Sequence, residues 1–238
     1  LKIIKMKLPF DKCYCLHLTE ATDRYNNIKE QFKKLGIEDQ VEIWWTTNRP
    51  WSTQCGEMIP NLHSKAYNYI RDNYNKDLYG AVYNVSLEFY TMIKQAYLRG
   101  FNSILFMEDD IYFKDDFDYE HLFNNLPEDW DILRLGFAGN HDTWIQKEPI
   151  YNECDDMLLR ANWQFGGMCL CAFNRKAMKF YIDYMDEKFE YADAPLTYCF
   201  NNNNKKYLCD GESLKVWVAR QSIVAVGGFG STIHRKVN

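Results

Sequence analysis

A chain of 238 residues, 47% hydrophobic and 26% charged, is long enough to bury a sizeable core in a single domain spanning 1–238. Net charge is −5 and no Lys/Arg run exceeds a pair such as Lys33-Lys34 or Lys205-Lys206, which argues against nucleic acid or an anionic membrane as partner. No apolar run reaches the roughly 20 residues of a membrane span and no leader peptide is visible, so a cytoplasmic chain is expected; the start at Leu1 leaves an upstream anchor open.

Lys12 to Leu18 reads as a first strand. A helix follows with Tyr25, Ile28, Phe32 and Leu35 on one face, closed by Gly36. Val41 to Trp45 is the next strand, and this β-α-β start predicts a parallel, right-handed crossover. The turn after the first strand carries Thr19, Glu20 and Arg24 beside a helix N-terminus, where backbone N–H groups can hold phosphates. It lacks G-x-G-x-x-G, and a surface salt bridge is the plain alternative for Arg24. Thr46 to Asn61, with Pro50 and Pro60, is expected to be a loop, and His63 to Tyr74 a helix. A better-defined helix lies between Gly80 and Gly100, with Ser86 as N-cap and Phe89, Met92, Ile93, Ala96 and Tyr97 on its buried face. Asn84-Val85-Ser86 matches a glycosylation sequon, but its place at a helix start argues against use.

Ser103 to Met107 is a short apolar run that suits a central parallel strand. It runs directly into Glu108-Asp109-Asp110. In open α/β sheets, ligands bind outside the carboxyl ends of strands. Like charges at about 4 Å repel by roughly 1 kcal/mol in water and 4 kcal/mol at an effective dielectric near 20, a repulsion that a divalent cation converts into attraction. Alternation along the strand sends Glu108 and Asp110 one way and Asp109 the other. A solvated acidic turn explains the same residues without a cation.

Downstream, Phe113 to Phe117 reads as a turn, Tyr119 to Leu126 as a short helix and Trp130 to Gly136 as a strand. Phe137 to Leu159 is irregular, as binding loops often are. Gly166-Gly167 permits close backbone approach to a ligand ahead of the strand Met168 to Phe173. Asn174 caps a helix with Ala177, Phe180, Tyr181, Tyr184 and Met185 buried. Asp193 precedes Pro195 at the start of a short helix, as an N-cap or as a carboxylate projecting into a cleft. Short strands are expected at Tyr207 to Cys209, Lys215 to Ala219 and Ser222 to Val226, then a Gly-rich arm carrying His234. The eight cysteines form no C-x-x-C pair, and Cys13/Cys15 and Cys169/Cys171 each share a sheet face as buried free thiols. A disulfide among Cys55, Cys154, Cys199 and Cys209 stays open.

Taken in order, these motifs resemble glycosyltransferase family 25, which includes lipo-oligosaccharide and collagen galactosyltransferases. His17-Leu18 with Arg24 stands where the family has an Asn-Leu-type turn and an arginine, so the Asn is replaced. Gly80 and Ser86 match a Gly…Ser-His element in which Leu87 takes the place of His. Glu108-Asp109-Asp110, the strand Trp130 to Gly136, Gly166-Gly167 to Ala177, Asp193 and Ser231-Thr232-Ile233 complete the set. The resemblance implies an α/β fold of GT-A type: a Rossmann-like, mostly parallel central sheet flanked by helices, with a small antiparallel C-terminal part. It implies a UDP-sugar donor, Mn²⁺ or Mg²⁺, and transfer of a hexose to a hydroxyl of a glycan or glycoprotein, with inversion.

By resemblance, Asp110 is the main metal ligand, with Glu108 and His234 as further ligands. The nucleotide sugar falls to His17, Leu18, Thr19, Arg24, Ser86, Glu108, Asp109, Gly166 and Gly167. Asp193 is the general base, with Asp210 and Glu212 in reserve. The substitutions at His17 and Leu87 motivate an alternative, a catalytically silent nucleotide- or sugar-binding module of the same fold. A nucleotidyltransferase is a weaker alternative, because a Gly-rich, Lys/Arg-containing triphosphate loop is missing.

Overall fold

The computed structural model describes residues 6–46, 79–136, 152–153, 157–161, 169–198 and 213–226. The expected helix His63 to Tyr74, the strand Tyr207 to Cys209, Gly166, Gly167, Asp210, Glu212 and His234 lie outside these residues, as do four of the eight cysteines.

Strand β1 (Lys12–Leu18) leads into helix α1 (Thr22–Leu35) and strand β2 (Val41–Thr46). Helix α1 turns Ile28 and Phe32 into the core. It ends at Gly36, whose φ of 66° is left-handed and whose N–H donates to Lys33 O (3.2 Å), while Ile37 N–H reaches Phe32 O (2.9 Å). Strands β1 and β2 pair in parallel, with His17 opposite Trp45. Helix α2 (Tyr79–Leu98) then feeds β3 (Ser103–Glu108), which lies parallel to β1 on its other side. Ser86 is therefore buried within a helix that begins seven residues earlier, and is not its N-cap. The stretch Tyr79 to Val85 holds no proline, and Gly80 falls in the first turn, where it is tolerated, so the helix extends N-terminal to Ser86. Asn84 is buried too, which removes it as a glycosylation acceptor.

The chain continues through β4 (Ile111–Phe113), α3 (Tyr119–Asn124), β5 (Ile132–Gly136), β6 (Asn152–Glu153), β7 (Leu158–Ala161), β8 (Leu170–Asn174), α4 (Arg175–Lys188), α5 (Ala194–Tyr198), β9 (Val216–Ala219) and β10 (Val224–Val226). Among the described residues, eight strands form one sheet in the order β2-β1-β3-β8-β5-β9-β7-β6. The sheet is mixed: β8 runs against both β3 and β5, and β7 against both β9 and β6, while the remaining strands share one direction. Antiparallel pairing thus sits in the middle of the sheet as well as at its end. Strands β10 and β4 form a separate antiparallel pair with Tyr112 opposite Ala225.

Side chains alternate across the sheet and build two cores. Tyr14, Leu16, Ile104, Phe106, Cys171, Phe173, Val216 and Val218 pack under α2 and α4. Cys13, Cys15, Leu105, Met107, Leu133, Ala172 and Trp217 pack under α1 and α3. Phe89 of α2 meets Phe106 edge-on at 4.2 Å between ring centroids. Buried Asp131 ties three elements together by accepting from Lys215 N–H (2.7 Å) and Asn174 Nδ2–H (2.9 Å), while Asn174 Oδ1 caps α4 by accepting from Ala177 N–H (2.9 Å). Cys13, Cys15, Cys169 and Cys171 are buried free thiols, as expected. No described helix is long and apolar enough to cross a membrane.

Candidate functional site

Strands β1, β2 and β3 point the same way, so the turn Asp109-Asp110 after β3 lies beside the end of β1. Asp109 is 4% exposed and fully engaged. His17 Nδ1–H donates to its Oδ2 (2.7 Å), as does Leu18 N–H (3.2 Å), and Arg24 Nη1 donates to its Oδ1 (3.1 Å). Arg24, 5% exposed on the first turns of α1, also lies 3.4 Å from Asp110 Oδ2. The salt-bridge reading of Arg24 therefore holds, but in the interior, where charges are retained only when paired. The same group of residues contains His17, Leu18, Arg24, Asp109 and Asp110, five of the expected site positions.

Thr19 is placed differently. Its N–H and its hydroxyl both donate to Thr46 O (2.8 Å each), joining the ends of β1 and β2. Those donors are not directed at a phosphate. The N-terminus of α1 begins after Ala21 without a side-chain cap.

The expected alternation of the three acids stops at Glu108, where β3 ends: Asp109 and Asp110 lie in the turn beyond it, and both meet Arg24 Nη1. Glu108 N–H donates to Cys169 O (3.0 Å), and the neighbouring Cys169 side chain lowers the Glu108 carboxyl. Burial, then the charges of Asp110 and Asp109, push Glu108 up to about 8, and Asp193 adds to the repulsion. Asp193, half-buried just before α5, also raises Cys171 and Tyr181 through its charge. The charges of Glu108 and Asp193 both raise Cys171. Buried Arg134, opposite Cys171 in the β5–β8 register, lowers that thiol.

Asp110 is raised chiefly by burial, with Arg24 pulling it down. Its Oδ1 is buried and has no hydrogen-bond partner among the described residues. An orphaned carboxylate oxygen beside a second, repelled carboxylate is a donor set for a hard cation. Among the described residues no group of three His, Cys, Asp or Glu is arranged to hold a metal. Mg²⁺-type sites commonly use one or two carboxylates and draw the remaining oxygens from substrate phosphates and water, so Asp110 and Glu108 fit such an ion. Asp109 does not, because both its oxygens are occupied by the chain.

Two residues carry weight that no sequence signal announced. Glu88 of α2 is fully buried and accepts from Trp44 Nε1–H (2.8 Å) and Thr46 Oγ1–H (3.2 Å), fastening α2 to the end of β2. Gln31 of α1 hydrogen-bonds the backbone of β4 on either side of Tyr112. A groove of about 630 Å³ beside α1 and β4, lined by Lys34, Tyr112, Phe113 and Phe117 among others, excludes the three acids from its walls. No family model matches the chain, and no curated protein matches it.

Proposed function

We propose that the chain is a GT-A glycosyltransferase resembling family 25, transferring a hexose from a UDP-sugar to a hydroxyl of a glycan or glycoprotein with inversion. The observation that carries this reading is the division among the three acids. Asp109 is locked to β1 and α1, while Asp110 Oδ1 has no hydrogen-bond partner among the described residues and Glu108 is repelled by both aspartates. A bound Mn²⁺ or Mg²⁺ would neutralise the charge that develops on the departing diphosphate. Asp110 and Glu108 are the residues that would hold it. Arg24 adds a fixed positive charge beside Asp110. Asp193 takes the proton of the acceptor hydroxyl as that oxygen bonds to the anomeric carbon and the bond to UDP breaks. Gly166, Gly167 and His234 belong to this proposal through the resemblance alone.

One observation favours the alternative, a silent nucleotide- or sugar-binding module: Arg24 already balances part of the acidic turn from within the chain. Titration of UDP with Mn²⁺ into the wild type and Asp110→Ala, followed by a UDP-release assay over a panel of donors, separates the two. The transferase reading expects heat of binding that Asp110→Ala removes, and UDP release that Asp193→Asn removes. Binding without release from any donor leaves the silent module, and no binding at all ends both readings.

A further inference from the structure

The acidic turn is gripped on both flanks by one face of α1. Arg24 holds Asp109 and Asp110 on the near side. Two turns further along the helix, Gln31 Nε2–H donates to Ile111 O (2.8 Å), and Gln31 Oε1 accepts from Phe113 N–H (2.6 Å). In a parallel ladder, one residue donates its N–H to the carbonyl before its partner and accepts the N–H of the residue after it. The Gln31 amide makes that pair of bonds around Tyr112, so a side chain occupies the position of a neighbouring strand. The opposite edge of β4 is held by β10, with Tyr112 opposite Ala225. Between Arg24 and Gln31 the same face of α1 buries Ile28, and Phe32 follows directly, so the helix cannot slide without exposing core.

We infer that Gln31 is a positioning residue, whose side-chain amide fixes the backbone that carries Asp110 and so sets the aim of its unpartnered oxygen. The inference rests on the reading of Asp110 as a cation ligand. A carboxylate ligand is only as well placed as the main chain beneath it, and groups behind a metal ligand typically change affinity by 10–100-fold when lost. Asp110 is separated from the first of the two Gln31 bonds by a single peptide.

The test measures Mn²⁺ binding by calorimetry, without nucleotide and then with UDP, together with exchange of the Phe113 amide. Gln31→Leu keeps the bulk and removes both bonds. Gln31→Glu keeps the acceptor for Phe113 N–H and loses the donor to Ile111 O. Expected are a Kd for Mn²⁺ about tenfold weaker in Gln31→Leu with faster exchange at Phe113, and in Gln31→Glu a smaller loss with exchange at Phe113 close to wild type. Binding within twofold of wild type in a variant whose Phe113 amide exchanges faster overturns the inference and leaves Gln31 purely structural. Should Gln31→Leu fail to fold, Gln31→Ala, which also removes both bonds, decides by the same comparison. A wild type that binds no Mn²⁺, with or without UDP, removes the metal reading itself, a result distinct from equal binding by wild type and variants.

Discussion

Asp109 is a carboxylate whose described partners all come from the chain itself. It is buried against a histidine, a backbone amide and an arginine, and Arg24 in turn has almost no access to water. Removing one partner of a buried pair leaves an uncompensated charge and costs about 3–5 kcal/mol. Asp109→Asn should therefore lower the unfolding free energy by that amount, seen as a lower urea midpoint with the slope unchanged. Lys34→Ala, which breaks the exposed Lys34–Asp115 pair, should cost less than about 1 kcal/mol. Glu108 makes a second residue-scale prediction, for metal-free protein. Its ordinary value is 4.5 and burial with neighbouring acids raises it to about 8. Below 4.5 both folded and unfolded chains hold the proton. Between 4.5 and 8 only the folded chain does, so this residue makes stability fall as pH rises, by a few kcal/mol in order of magnitude, and the effect levels off above 8. Glu108→Gln should flatten that fall when unfolding is measured at pH 5, 6.5 and 8. An unchanged slope would count against the assignment. The acidic triplet was legible because three acids after an apolar strand conflict with burial. The resemblance put His17 and Arg24 in the same site, but not their direct bonds to Asp109: they lie 92 and 85 positions away, distances that no local pattern spans.

At the scale of elements, β1, α1, β2 and β3 could be read from alternation, helical spacing and Gly36, and the parallel pairing followed. The direction of β8 could not. Leu170 to Asn174 is buried on both faces, and such a run looks the same whether its neighbours are parallel or antiparallel. Strands β6 and β7 fell in a stretch that reads as irregular because they are two and four residues long. Gly136 was visible as the end of β5, but its role was not. A Cβ there would meet Val224 Cγ2 at 2.5 Å and Leu170 Cβ at 2.8 Å, at the point where the β5–β8 register shifts. Leu170 sits on a central strand and cannot yield cheaply. Gly136→Ala should cost about 1–3 kcal/mol and shift the β10 resonances in an amide spectrum, whereas a cost near zero would mean that β10 is loosely held.

Over the whole molecule, the helices divide between the two faces of the sheet and give two cores separated by β1, β3, β8, β5 and β9. Composition already implied a core of this size, and residue spacing implied helices on a sheet; the division into two faces needed the strand order. Opening should follow this layering. Amides of β3 and β8, each bonded on both edges, should exchange only with global unfolding, while β6 and β7 at the sheet's end should exchange earlier. Hydrogen exchange read by mass spectrometry checks the order, and equal protection of β7 and β3 would contradict it.

The free thiols of β1 and β8 turn that layering into a chemical timer. Burial pushes Cys13 up to about 12 and Cys171 to about 11, and raises Cys15 and Cys169 as well. Because the thiolate is the reactive form, these sulfurs are inert to iodoacetamide while the sheet is closed. Each becomes an ordinary cysteine the moment its strand opens. Alkylation at these sites therefore counts opening events, and the ratio of labelled Cys13 to labelled Cys171 reports which side of β3 parts first.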